Sequence, residues 1–409
     1  MPASIADSQA TEGYEMRSWE DSGRVVEIGR GRTARQTYGF DDVALVPGAV
    51  TLDPEVVDLS CDLAGISLDL PVLASAMDAV VDVHSAAVLS ELGGLAVLHL
   101  EGVQCRYEDP DPILDRIASA PTEEAVSVIQ EAYREPVKDE LILRRVAELR
   151  EKGAKVAVSP TPITAQHAAE VIGAGKIDAL VVASTVTTAQ HISSRYESPD
   201  FRRLADLVQA PVFVGNCVSY EAALDLMRAG AAAVLVGVGP GAACTTRRVL
   251  GIGVPQVTAA VDCAAARDDY QRETGKRVPI IVDGGMRVGG DIAKAIAAGA
   301  DAVMIGSPLA AAEEAPGRGC HWGMATSAIG LPRGTRIKVG VSAPMKQILL
   351  GPAKRDDGTM NLFGALRLSM ACCGARTIAD MQRAEIVIAP ALPTEGKAVQ
   401  RAQGVGGTR

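Results

Sequence analysis

Aromatic side chains are scarce in this chain: they make up 3% of 409 residues, with two Trp, seven Tyr and four Phe. A core without them must be aliphatic and Ala-rich, which suits closely packed helices and strands. Long apolar runs are missing too. AAAVLVGVG at 231–239 falls far short of the roughly 20 residues a membrane span needs. The opening MPASIADSQATEGYE has neither the basic start nor the apolar stretch of a secretory signal. None of the eight cysteines (Cys61, Cys105, Cys217, Cys244, Cys263, Cys320, Cys372 and Cys373) forms a C-x-x-C pair, and no His is spaced with them as in a zinc site. Scattered thiols of this kind point to a reduced, cytoplasmic protein. Basic excess is absent: 40 Lys and Arg stand against 50 Asp and Glu, a net charge of −10. A general nucleic-acid binder would show a basic face, so no nucleic acid and no membrane is expected as a partner.

What is present is a rhythm. Short aliphatic runs recur at 71–75, 94–100, 154–159, 178–184, 211–215, 232–237, 279–284 and 301–306. Each is bounded by Gly, Pro, Ser or Asp, as a strand buried on both faces reads. Amphipathic stretches lie between most of them. Examples are 82–94, 138–153, 219–231 and 290–300, each with Gly near its end. Eight such strands alternating with helices predict an α/β fold, a (β/α)8 TIM barrel. An open doubly wound sheet is the competing arrangement. It is disfavoured because no G-x-G-x-x-G loop follows the first strand, and the ligand-like loops follow strands six to eight. The expected organisation is an extension over 1–25, one barrel domain over 26–395, and a loose tail over 396–409. Residues 101–150 read as loop plus helices of the barrel. Residues 308–362, rich in Gly, Pro and Arg, read as a flap insertion after strand eight.

Three loops carry the chemistry. GVGPGAACTTR at 237–247 brings backbone close to a ligand and then presents Cys244, followed by Thr245 and Thr246. A thiol at the carboxyl end of a barrel strand sits where catalytic groups sit in this architecture. In DGGMRVGGD at 283–291, Asp283 is placed to accept hydrogen bonds from a ribose diol, and Gly284 and Gly285 expose amides. After strand eight, Gly306 and Ser307 suit a phosphate cradle. Ser75 and Met77 after strand one, and Asn216 after strand five, fit the same mouth; Met77 can pack on a flat base. His84, His99, His167 and His191 are not arranged as metal ligands and read as structural.

These residues resemble those of the IMP dehydrogenase / GMP reductase family. The likeness runs from about residue 28 to 403. It includes YGFDDVALVPG at 38–48, PVLASAMDAVVD at 71–82, GPGAACTTRRVLGIGVPQ at 239–256 and IIVDGGMRVGGDIAKAIAAGADAVMIGSPLA at 280–310. The Gly-Pro-Gly-x-x-Cys-Thr-Thr loop is highly specific to that family. GRGxHWGMAT at 317–326, LPRGTR at 331–336 and TEGK at 394–397 resemble a branch without the tandem CBS regulatory module. The resemblance implies that Cys244 attacks C2 of the purine of IMP, that hydride passes to NAD, and that water then releases XMP. It also implies that Asp283 holds the ribose. Gly285, Gly306 and Ser307 would hold the phosphate, and Gly323 and Met324 would face the base. Ser184, Thr185 and Gly237 would lie on the cofactor. Carbonyls of Gly239, Gly241 and Cys244 would hold K+, Thr246 would assist proton movement, and four chains would form a homotetramer.

Several positions depart from the family pattern. Ala242 stands where a Ser touches phosphate, His321 where a Tyr does, and Ala183 where an Asp contacts the nicotinamide ribose. The Arg-Tyr dyad that activates water is missing; Arg333 or Arg336 could substitute. A GMP reductase would carry a Glu in the flap, and between Cys320 and Lys338 there is neither Glu nor Asp. That favours the dehydrogenase, with Glu395 keeping the reductase open. A flavin enzyme and a non-catalytic purine-nucleotide sensor are the remaining alternatives.

Overall fold

The computed structural model describes residues 25–194, 197–323, 335–390, 397, 400, 402 and 403. The chain divides into two units, Met1–Thr37 and Tyr38–Arg409. In the first unit Val25–Gly29 and Arg32–Arg35 form an antiparallel hairpin turning at Gly31. The sequence puts the barrel domain at 26–395; the second compact unit begins at Tyr38. Residues 1–24 and most of the expected tail lie outside the described residues.

The second unit is a closed parallel barrel of eight strands, a (β/α)8 TIM barrel. The strands are β1 (Val72–Ala74), β2 (Leu95–His99), β3 (Ala157–Ser159), β4 (Ala179–Ala183), β5 (Val212–Cys217), β6 (Ala233–Val236), β7 (Ile280–Asp283) and β8 (Ala302–Ile305). They pair in chain order, and β8 closes on β1 through Val303 beside Val72. Alternate residues take opposite faces, as strand geometry demands. Leu73, Val97, Val181, Phe213, Leu235, Ile281 and Met304 fill the interior. Val72, Leu98, Val182, Val214, Val236 and Val303 face the helices. The antiparallel pair Cys61–Leu63 and Ile66–Leu68 packs Leu63, Ile66 and Leu68 against the interior cluster.

The first helices are α1 (Val83–Glu91), α2 (Asp111–Ser119), α3 (Ala125–Ala132), α4 (Asp139–Glu151), α5 (Ala165–Ile172), α6 (Phe201–Val208) and α7 (Tyr220–Arg228). After β6 come α8 (Thr246–Val249), α9 (Gln256–Thr274) and α10 (Gly289–Ala297), then α11 (Ser307–Ala310), α12 (Met345–Leu350) and α13 (Leu362–Cys372). Helix α1 begins with reciprocal bonds: Asp82 accepts from Ser85 N at 2.7 Å and Ser85 Oγ accepts from Asp82 N at 2.9 Å. Helices α2 and α3 form an insertion between β2 and α4.

Buried charge ties α9 to the strands. Asp301 Oδ2 accepts from Ile280 N at 2.8 Å and from Arg267 at 2.9 Å, while Oδ1 accepts from Arg277 at 2.7 Å. No helix among the described residues is long and apolar enough to cross a membrane. The expected flap, 308–362, is not one open loop. Cys320–His321 pairs with Ile337–Lys338, and Met345, Ile348 and Leu349 of α12 are buried in the core.

Candidate active site

The loops at the carboxyl ends of the strands surround a cavity of about 530 Å³. The strand order divides its rim. Segments after β5, β6, β7, β8 and β1 supply one arc, and the ends of β2, β3 and β4 supply the other.

Cys244 is exposed at the cavity, and its thiol donates to Thr246 Oγ1 at 3.1 Å. Thr246 is buried behind it as the first residue of α8. Within the loop, Cys244 N donates to Gly241 O at 3.0 Å. Gly237 takes φ +147°, and a Cβ there would lie 2.6 Å from the Gln256 side chain, so only glycine lets the loop pass. Arg247 spans the base of the loop. Its Nε donates to Val238 O at 3.1 Å and its guanidinium reaches Val254 O at 2.7 Å.

Asp283 ends β7 at the cavity wall. Asn216 donates to its Oδ2 at 2.8 Å and to Gly237 O at 2.9 Å, joining the ends of β5, β6 and β7. Burial pushes the Asp283 carboxyl up to about 6, with the Asn216 bond opposing. Gln256 also reaches this corner, donating to Val236 O at 2.7 Å and Asp283 O at 3.0 Å. Gly285 and Gly306 line the wall beside it, and Ser307 follows. Ser307 Oγ lies 2.9 Å from His321 Nε2. Burial lowers the His321 imidazole to about 4, so it is neutral at pH 7, and its Nδ1 has no hydrogen-bond partner among the described residues. Ser75, Met77 and Gly323 complete this arc.

Of the described residues expected to form the site, those after β5, β6, β7, β8 and β1 therefore meet in one cavity, as do Gly239 and Gly241, except Thr246, which lies buried behind Cys244. Ser184 and Thr185 line it from the end of β4. Met324 and Arg333 lie outside the described residues. Arg336 is committed elsewhere. It donates to the carbonyls of Ile117 at 2.7 Å, Ala118 at 3.1 Å and Ala120 at 2.7 Å, so it holds the end of α2 and cannot stand in for a water-activating arginine. His99, read as structural, lines the cavity at the end of β2. Its Nδ1 accepts from Glu101 N at 3.0 Å, which leaves the ring proton on Nε2. Arg247 and Gln256 were missed as well. Their only local signal was their place in the runs CTTR and VPQ beside the thiol loop.

A profile described as the IMP dehydrogenase / GMP reductase domain matches residues 37–327. The chain belongs to that family. An uncharacterized oxidoreductase of Mycolicibacterium smegmatis is 38% identical over 373 residues, covering 89% of this chain and all of that protein. The IMP dehydrogenase of Methanocaldococcus jannaschii is 32% identical, covering 87% of this chain and 93% of its own length. Among solved structures, an IMP dehydrogenase/GMP reductase-like protein of Corynebacterium glutamicum superposes with TM-score 0.82 at 34% identity. That match covers 89% of this chain and 97% of the other. The chain is thus an oxidoreductase of the IMP dehydrogenase / GMP reductase family.

Proposed function

We propose that this protein is an IMP dehydrogenase, oxidising IMP to XMP with NAD+ through a covalent thioimidate on Cys244. The observation that carries the reading is the exposed Cys244 thiol on the same cavity as Asp283 and the Gly306–Ser307 turn. A phosphate would take the Gly285, Gly306 and Ser307 amides, with neutral His321 beside Ser307. The ribose diol would donate to Asp283, and Met77 and Gly323 would flank the base. Cys244 would add to C2 as a thiolate, with Thr246 Oγ1 beside the sulfur to steady it and to pass a proton when water displaces the thioimidate.

The other arc fits the cofactor in part. Ala183, Ser184 and Thr185 are small and uncharged, so a flat ring can lie there, but a ribose diol would find hydroxyls and no carboxylate. NAD+, when bound, would accept the hydrogen and the two electrons leaving C2. Gly239, Gly241 and Cys244 offer neutral carbonyl oxygens, a donor set suited to a large monovalent cation such as K+. Absence of Asp and Glu between Cys320 and Lys338 favours this direction over the reductase.

Two measurements test the proposal. Mixing protein with IMP and NAD+ in the presence of K+ should give absorbance at 340 nm, and intact mass should show an adduct that Cys244→Ser cannot form. Absorbance lost from NADPH with GMP, and none gained with IMP, would replace the reading with the reductase.

A further inference from the structure

The insertion between β2 and α4 stands outside the strand–helix alternation; it packs Leu114, Ile117 and Ile129 around Trp322, and one phenol bonds it to both segments that flank the cavity. Tyr133, which follows α3, donates its hydroxyl to Asp78 Oδ2 and accepts from Trp322 Nε1 at 3.0 Å. Asp78 is 1% exposed and directly follows Met77; Trp322 is 0% exposed and directly precedes Gly323. Met77 and Gly323 both line the cavity. The ring is itself held. The Arg106 guanidinium lies 5.5 Å from its centroid and donates to Tyr133 O at 3.1 Å and Glu101 O at 2.9 Å. Asp78 Oδ2 accepts also from Val103 N at 2.8 Å, while Oδ1 has no hydrogen-bond partner among the described residues. One hydroxyl therefore joins the loop after β1, the segment before residue 324, and the insertion.

We infer that Tyr133 is a positioning residue for the purine base, acting through Asp78 on Met77 and through Trp322 on Gly323. This rests on the nucleotide reading above. Without the hydroxyl, a buried carboxylate loses a donor and a buried indole N–H loses its acceptor, which is unfavourable enough to move both segments toward new partners. The two walls of the base pocket move with them. The sugar-phosphate side has anchors of its own. Asp283 is bonded to Asn216, and His321 is pinned by Ser307 and by its pairing with Ile337.

Tyr133→Phe keeps the ring and removes only the hydroxyl. Its binding of IMP should weaken about five- to fiftyfold, the cost of a lost buried hydrogen bond, while its affinity for ribose 5-phosphate, which has no base, stays as in the wild type. Equal losses for both ligands, or none for IMP, would overturn the inference. A second readout needs no ligand. In a Trp19→Phe background Trp322 is the sole indole, and its emission should become more accessible to acrylamide in Tyr133→Phe. Unchanged quenching would overturn the inference as well. Should the wild type bind neither ligand, the nucleotide reading fails and the quenching result alone decides whether Tyr133 holds Trp322. If Tyr133→Phe does not fold, Trp322→Phe breaks the same link from its other end and should separate IMP from ribose 5-phosphate in the same way.

Discussion

Asp283 and His321 show how the site loads opposite protonation costs onto two side chains. The Asp283 carboxyl is raised to about 6 from 3.8, so the folded state holds its proton more tightly than the unfolded state. Its contribution to stability is full below about 3.8 and is lost as pH rises through 6. The His321 imidazole is lowered to about 4 from 6.5, so its contribution is present above 6.5 and is lost as pH falls through 4. Each shift corresponds to roughly 3 kcal/mol at most, and water in the cavity reduces the Asp283 figure to about 1–3 kcal/mol. The two slopes oppose each other between pH 4 and 6. Asp283→Asn should therefore raise stability at pH 8 by about 1–3 kcal/mol and unmask a steeper loss between pH 6.5 and 4. Urea titrations at pH 8, 6 and 4.5 measure both. The same variant should lose the thermal shift that IMP gives the wild type, since the amide replaces one of the two acceptor oxygens with an NH2 donor while Asn216 occupies the other. Stabilisation together with retained IMP binding would remove Asp283 from the ribose.

Loops and helices carry the next set of consequences. Arg247 holds the thiol loop at Val238 and Val254, so Arg247→Met should leave the barrel folded but release residues 238–254. The expected cost is about 1–3 kcal/mol in stability, with adduct formation on Cys244 slowed at least tenfold and new proteolytic cuts in that loop. Unchanged adduct kinetics would make the arginine ornamental to the chemistry. Asp301→Ala should cost more, about 3–5 kcal/mol, because Arg267 is left buried beside an empty place; chemical denaturation followed by far-ultraviolet dichroism measures it. At this scale the sequence was most readable. All eight strands coincide with aliphatic runs bounded by turn residues, because a parallel strand buried on both faces has no polar alternation to confuse it. The thiol loop and the Asp283 loop were legible for a different reason: unusual glycine spacing is itself a local signal. The Tyr133–Trp322 bond was not legible. It joins residues 189 apart in sequence, and neither sits in a pattern that local reading can interpret. Arg336 misled for the same reason, since its three carbonyl partners lie more than 200 residues upstream.

For the molecule as a whole, the resemblance to the family leads us to expect a homotetramer. Val249, Leu250 and Ile252, beside the thiol loop, are between 43% and 49% exposed, an apolar strip at the barrel mouth that association would cover. Light scattering behind a sizing column should return four chain masses, and Leu250→Asp should lower that value; a wild-type mass of one chain would remove the assembly from the account. The strand order has a further consequence. The groups assigned to gripping the substrate descend from five consecutive strand ends, whereas two of the three assigned to the oxidant, Ser184 and Thr185, descend from β4 and only Gly237 from the substrate arc. On the proposed reading, substitutions at the end of β4 would alter the choice of electron acceptor and spare most of the hold on the nucleotide, with Gly237 the position where the two cannot be varied apart.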